Sequence, residues 1–198
     1  MNKLHVLKFG GTSMGSVTAM AQAAAIVRDN PAARLVLVSA MSGTTNQLLQ
    51  VYEQAAANER AACADSVGAI LHRHMETAQN MQASNQARAA LQELGGQLRD
   101  LAALISKKDD QQLDQLLSFG ERMSAVLFAE ALEKAGAKSI VTDARKCLRT
   151  DSRFGKAEPE IIATAELTEK TLRPLIDAGY TVVTQGFIGS DENGRTTT

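Results

Sequence analysis

Three short apolar runs stand out along the chain. They are "KLHVLKF" at 3–9, "RLVLVSA" at 34–40 and "YTVVTQ" at 180–185, with "KSIVTDA" at 138–144 as a weaker fourth. Each is rich in Val, Leu or Ile and ends in small or polar residues. Continuous runs of this length, separated by helical stretches, predict parallel strands buried on both faces. The segment "SVTAMAQAAAIVRDNP" joins the first two. Ser16 or Thr18 offers a cap, the alanines favour a helix, and Pro31 follows its end. This is a βαβ unit, whose crossover is expected to be right-handed. From about residue 45 to 135 the pattern is helical and free of proline, with Gly95-Gly96 as its strong punctuation. Within it "ERMSAVLFAEALEKAG" sets Met123, Val126, Leu127 and Ala131 along one face and stops at Gly136. The fold class expected is α/β, with a mostly parallel sheet and a long helical insertion between the second and third main strands. The final stretch "TQGFIGSDENGRTTT" reads as a strand, a glycine turn, a second turn at "DENG" and the start of another strand. A chain that stops there reads as truncated.

Composition narrows the function classes. At 198 residues the chain suits one sizeable domain, and 44% hydrophobic with 22% charged residues is the balance of a soluble globular protein. A formal net charge of -1 and 4% aromatic content argue against a dedicated nucleic-acid binder. No apolar run approaches the roughly 20 residues needed to cross a bilayer, and no signal peptide opens the sequence. Cys63 and Cys147 are too few and too distant for a disulfide framework, so a reduced cytoplasmic protein is expected. His72 and His74 in "LHRHM" point to different faces of a helix and read as surface histidines rather than metal ligands. No metal site is expected.

Four places carry polar groups that a bare fold does not need. In "KFGGTS" Lys8 ends a strand, and Gly10 and Gly11 permit unusual dihedrals and close approach of a ligand. Successive amides ahead of a helix near Ser16 form a natural anion site, with phosphate as the obvious guest; a tight turn with a solvated lysine is the plainer reading. Neither GxxxxGK[ST] nor GxGxxG is present. In "SAMSGTTNQLL" Ser39, Ser42, Thr44, Thr45 and Asn46 crowd one loop. Capping by Thr44 or Thr45 accounts for part of this, and the loop should lie beside "GGTS". In "SFGERMS" Gly120 and Glu121 are placed at a helix start, where the dipole alone explains a glutamate; recognition of a substrate ammonium is the alternative. In "TQGFIGS" glycine again follows a strand, able to bring backbone groups to a ligand. Three strand ends and one helix start could line a single crevice.

These motifs resemble those of the aspartate kinase (aspartokinase) family, within the amino-acid kinase superfamily. The likeness is carried in order by "KFGGTSM" at 8–14, "SAMSGTTN" at 39–46, "SFGERMS" at 118–124, "DARKCLRTDSRFGKAEP" at 143–159 and "TQGFIGSDENGRTTT" at 184–198. The run 143–159 is most similar to the lysine-sensitive single-function type. The resemblance implies a three-layer αβα amino-acid kinase fold and transfer of a phosphoryl group from ATP to L-aspartate, giving 4-phospho-L-aspartate. That is the first step towards lysine, threonine and methionine. It implies Lys8 as the catalytic lysine; Gly10, Gly11, Thr12 and Ser13 with Lys8 as the ATP-phosphate site; and Ser39, Thr45, Glu121, Gly186 and Phe187 as the aspartate site, with Glu121 facing the ammonium. Mg2+ would arrive with the nucleotide. Arg149 and Arg153 are assigned to surface ion pairs.

The resemblance also implies that the pattern continues after "GRTTT" with a Leu-Gly-Arg-Gly-Gly-Ser-Asp segment, a nucleotide-binding half and ACT regulatory domains. Arg195 precedes the threonines and does not match the substrate arginine of that segment. Residues 1–198 are therefore expected to form the N-terminal, amino-acid-binding part of the kinase domain, inactive alone and either homodimeric or prone to aggregate. A non-catalytic amino-acid-binding or partner-docking module, or a kinase for another acid, stays open at this level.

Overall fold

The computed structural model describes residues 4–198. Four strands, β1 (His5–Phe9), β2 (Ala33–Val38), β3 (Ser139–Val141) and β4 (Thr181–Gln185), form one parallel sheet in the order β1-β2-β4-β3. They are the four apolar runs of the sequence. Helix α1 (Val17–Arg28) links β1 to β2, and its N-cap is Ser16, whose hydroxyl accepts from the Ala19 amide at 3.2 Å. Four helices follow β2: α2 (Thr44–Ala56), α3 (Arg60–Asn80), α4 (Asn85–Leu104) and α5 (Asp110–Lys134).

Gly95 and Gly96 do not break this helical stretch; α4 runs straight through them. The breaks fall near Asn58 and Gln82, both at positive φ, and at residues 105–109. Gly95 serves packing instead. A Cβ there would come within 2.8 Å of the Leu71 side chain on α3, so the glycine lets two helices approach closely.

One face of the sheet carries Leu7, Phe9, Val36, Val38 and Val183 into the main core, shared with α1 and α5. The opposite face carries Leu35, Ile140 and Val182 against Leu172, Leu175 and Ile176 at α6 (Ile161–Thr171) and α7 (Arg173–Asp177). The three layers are thus present, but the second helical layer is thin. All five residues of β4 are buried, whereas Val6 and Lys8 of β1 are exposed. Burial on both faces fails at β1 because it is an end strand and α7 packs on β4, two strands away. That opening is what leaves Lys8 accessible.

The "DENG" turn and threonine strand are as read. The strands β5 (Gly189–Ser190) and β6 (Thr196–Thr197) pair antiparallel, with Gly194 at φ 74° in the turn. Asp191 is fully buried there. It accepts from the Asn193 and Arg195 amides at 3.0 and 2.9 Å and from the Arg195 guanidinium. Burial alone would raise its carboxyl; the hydrogen bonds from Arg195 and Ser152 outweigh it and hold it at about 2.

Candidate functional site

The loops after β1 and β2 are laced together. The Ser39 amide donates to Phe9 O at 3.0 Å and the Ser42 amide to Gly11 O at 3.2 Å. A Cβ on Gly11 would sit 3.1 Å from Ala40 O, so this approach requires glycine. The Met14 amide bonds back to Gly10 O and Gly11 O at 3.3 and 3.2 Å, closing a tight turn. Among the described residues the amides of Gly10, Gly11, Thr12 and Ser13 have no hydrogen-bond partner. Neither Gly10 nor Gly11 takes a positive φ, so the turn is helix-like, and free N–H groups at the start of such a turn can meet an anion as those of a helix N-terminus do.

Neither Thr44 nor Thr45 caps α2. The N-cap is Gly43 at φ 85°, and the threonines are the first two helical residues. A left-handed glycine turns the chain sharply enough that the helix begins one residue earlier than a Thr44 cap would set it. Thr45 is thereby left exposed at the cleft, while the Thr44 hydroxyl is buried without a partner among the described residues.

Glu121 does not stand at a helix start. Helix α5 begins three turns earlier, capped by Asp109, whose carboxylate accepts from the Gln112 amide at 2.8 Å. The dipole account of Glu121 therefore fails, since that effect fades within the first turn. The neighbouring glycine puts it in place. A Cβ on Gly120 would lie 2.8 Å from Ala40 Cβ, so α5 touches the β2–α2 loop at this point. Glu121 is 5% exposed, and its Oε1 accepts from the Ala40 amide at 3.2 Å. Burial pushes its carboxyl up to about 7, with the Ala40 amide opposing. A buried carboxylate with so little compensation is poised to meet a cation.

We expect Gly120→Ala to cost about 1–2 kcal/mol, because overpacking against Ala40 outweighs the helix-propensity gain of about 1 kcal/mol. A lowered denaturant midpoint, with loss of any ligand bound beside Glu121, would show it.

Lys8, Gly11, Ser39, Thr45, Glu121 and Phe187 line one cleft of about 450 Å3, with Met41–Gly43 as its floor. Gly10, Thr12 and Ser13 stand beside it on the same turn rather than in its wall. Gly186 is buried behind it. Its amide donates to Val38 O at 2.9 Å, and a Cβ there would lie 3.8 Å from Lys8 Cε, so it backs the lysine stem. Phe187 is 65% exposed at φ 70°, a conformation that a bulky residue adopts only at a cost. Phe187→Gly should raise stability by about 1 kcal/mol by releasing that strain, measurable as a higher Tm.

Sequence reasoning missed the Ala40 amide, which is invisible until Gly120 brings α5 alongside. It also misplaced His74, which is 1% exposed rather than on the surface, because α4 covers that face of α3. Arg153 makes the expected ion pairs, at 2.6 Å to Asp151 and 2.8 Å to Glu158. Arg149 makes none among the described residues, and its Nε is buried without a partner. No helix among the described residues is long and apolar enough to cross a membrane. Among them no group of three His, Cys, Asp or Glu side chains is placed to hold a metal ion.

A family model described as "Amino acid kinase family" matches residues 3–198. Lysine-sensitive aspartokinase 3 of Escherichia coli K12 is 39% identical over 199 residues, covering 100% of this chain and 43% of that protein. Aspartokinase 3, chloroplastic, of Arabidopsis thaliana is 31% identical, covering 95% of this chain and 32% of that protein. The crystal structure of E. coli aspartokinase III in complex with aspartate and ADP superposes with a TM-score of 0.89 at 38% identity, over 99% of this chain and 43% of that one. This chain therefore spans less than half the length of the relatives it matches.

Proposed function

The chain belongs to the amino acid kinase family, and we propose that it serves aspartate kinase chemistry: phosphoryl transfer from ATP to the side-chain carboxylate of L-aspartate, giving 4-phospho-L-aspartate. Residues 3–198 would supply the amino-acid-binding part of that domain. The observation that carries this reading is that Lys8, Gly11 and the buried Glu121 line one cleft, with the unpartnered amides of Gly10, Thr12 and Ser13 on the turn beside it.

The chemistry fits that arrangement. The acceptor is already a carboxylate, so no general base is required, and catalysis reduces to positioning and electrostatic stabilisation. Lys8 would stabilise charge on the phosphoryl oxygens. The amides of Gly10, Gly11, Thr12 and Ser13 would hold phosphate, and the nucleotide would bring Mg2+ with it. Glu121 would take the α-ammonium of aspartate, with Ser39 and Thr45 as hydroxyl contacts. Gly186 and Phe187 would close the substrate side. The E. coli relative has been crystallised with aspartate and ADP, which supports both ligands here. The same reading assigns the chain to the cytoplasm and to amino-acid biosynthesis, and gives the long helices α2–α5 as the surface for a homodimer.

Calorimetric titration of the purified chain with L-aspartate and with Mg-ATP tests the proposal. Binding of L-aspartate, lost in Glu121→Ala, is the expected result. A folded chain that binds neither ligand would overturn it.

A further inference from the structure

The loop between β2 and α2 crosses the floor of the cleft in one tight turn. The Thr44 amide donates to Met41 O at 2.9 Å, with Ser42 and Gly43 as the two residues between. Gly43 has φ 85° and ψ −15°, and Ser42 does not take a positive φ. Those are the dihedrals of a type II turn, with glycine at the position that needs it. A type I turn joins the same ends with the central peptide, Ser42 C=O to Gly43 N–H, rotated by about half a turn. Glycine permits both, so the ends of the loop do not decide which way that peptide faces. Arg73 does. It stands on α3, 31 residues further along the chain, and its Nη1 donates to Ser42 O at 2.7 Å. Among the described residues that carbonyl receives no other hydrogen bond, and Arg73 makes no ion pair. A Cβ on Gly43 would lie 3.9 Å from Nη1, so the guanidinium rests against the cap of α2. The positive end of a helix disfavours a cation there, so the carbonyl rather than the dipole keeps Arg73 in place.

We propose that Arg73 is a positioning residue for the cleft. By holding Ser42 O it locks the central peptide of the turn in its type II orientation, and with it the Ser42–Gly43 floor and the start of α2 that carries Thr45. Arg73 is not in the cleft wall, so it acts through the loop and not by touching a ligand. The lock follows from the turn geometry and stands whatever the cleft binds. Its consequence for L-aspartate rests on the proposed function. Without the lock, only a fraction of the chains hold the floor as it stands, and affinity falls in proportion to that fraction. One hydrogen bond to a solvated carbonyl sets the fraction at roughly a fifth to a tenth.

The test is NMR of the whole 13C,15N-labelled chain as wild type, Arg73→Ala and Arg73→Lys, with calorimetry of L-aspartate on each. A type II turn sets the Ser42 Hα close to the Gly43 amide hydrogen, whereas a type I turn brings the amide hydrogens of Ser42 and Gly43 together. Wild type should show the first contact alone. In Arg73→Ala the second should appear, the Ser42 carbonyl shift should leave the hydrogen-bonded range, and the Kd for L-aspartate should rise about five- to tenfold. Lysine keeps a donor and the charge, so Arg73→Lys should restore the turn signature and bring the Kd to within about threefold of wild type. A merely structural loss would lower the urea midpoint without flipping the turn and without selective rescue by lysine. The proposal is overturned if Arg73→Ala keeps the wild-type turn signature. A flipped turn with unchanged L-aspartate affinity would overturn the positioning role as well. A wild-type chain that binds no L-aspartate counts against the proposed function instead, and the turn signature then decides the lock by itself.

Discussion

At pH 8, Glu121→Gln is expected to stabilise the fold and weaken L-aspartate at least tenfold. The two effects have one cause. The Glu121 carboxyl is buried, and its folded value of about 7 stands above the ordinary 4.5. The folded state therefore binds the proton more tightly than the unfolded chain. Its contribution is full below about 4.5 and is lost as pH rises through about 7, so stability should fall across that window and level off above it. Integrated, the loss is on the order of 3 kcal/mol. Glutamine keeps an oxygen for the Ala40 amide and carries no charge to desolvate, so the variant should flatten the slope and recover much of that amount at pH 8. The same neutrality removes the counter-charge for the substrate ammonium, and charge-assisted hydrogen bonds are worth about 1.5–3 kcal/mol. In the wild-type chain aspartate affinity should fall as pH drops below 7, by up to tenfold per unit, because binding must then expel a proton. Urea titrations and calorimetry at pH 5, 6, 7 and 8 on both proteins would test this. The buried His74, whose ring burial makes less basic, adds stability as pH rises in both proteins, so the difference decides: a wild-type stability that does not fall relative to Glu121→Gln from pH 5 to 8 would contradict the burial argument.

The same residue marks where sequence reading reaches its limit. The strands were legible because Val and Leu runs bounded by polar residues have few other uses in a soluble chain. The loops after them were legible because glycine and hydroxyl clusters at strand ends constrain both geometry and chemistry. Glu121 stood out in the sequence, but its setting was misread. The first turns of α5, "DQQLDQLL", carry alternating polar residues that hide a continuous helix. With the Asp109 cap overlooked, a mid-helix carboxylate looked like a helix-start one. Its burial depends on Gly120 meeting Ala40, a contact eighty residues apart in the chain. Local pattern carries no trace of such a contact. Gly95-Gly96 misled in the mirror sense: two glycines suggest a break, whereas the reason for Gly95 lies on the neighbouring helix. His74 likewise shows that periodicity separates two faces without saying which one a later helix will cover.

Placed in a chain that also carries a nucleotide-binding half, Lys8→Met should lower acyl-phosphate formation by about 10²–10³-fold while leaving L-aspartate affinity within about twofold. The lysine ends β1 on the open face of the sheet, its stem backed by Gly186, and no carboxylate among the described residues lies within ion-pair distance of it. A cation so placed is not engaged in holding the fold together, so its removal should shift stability by less than about 0.5 kcal/mol. Its work is confined to charge arriving from outside. On the proposed function, the Lys8 ammonium would contribute most where negative charge develops on transferring oxygens, and less to a substrate whose own ammonium Glu121 would meet. Methionine keeps the length and apolar stem of lysine, so the unpartnered N–H groups of the glycine turn remain in place to hold phosphate. Mg-ATP should accordingly weaken about tenfold rather than vanish. Hydroxylamine trapping of the acyl phosphate, with calorimetry for each ligand, separates these effects. Equal losses in aspartate and Mg-ATP affinity would mean that the variant disturbs the cleft itself, and Lys8 would then be a structural residue rather than the charge that meets the phosphoryl group.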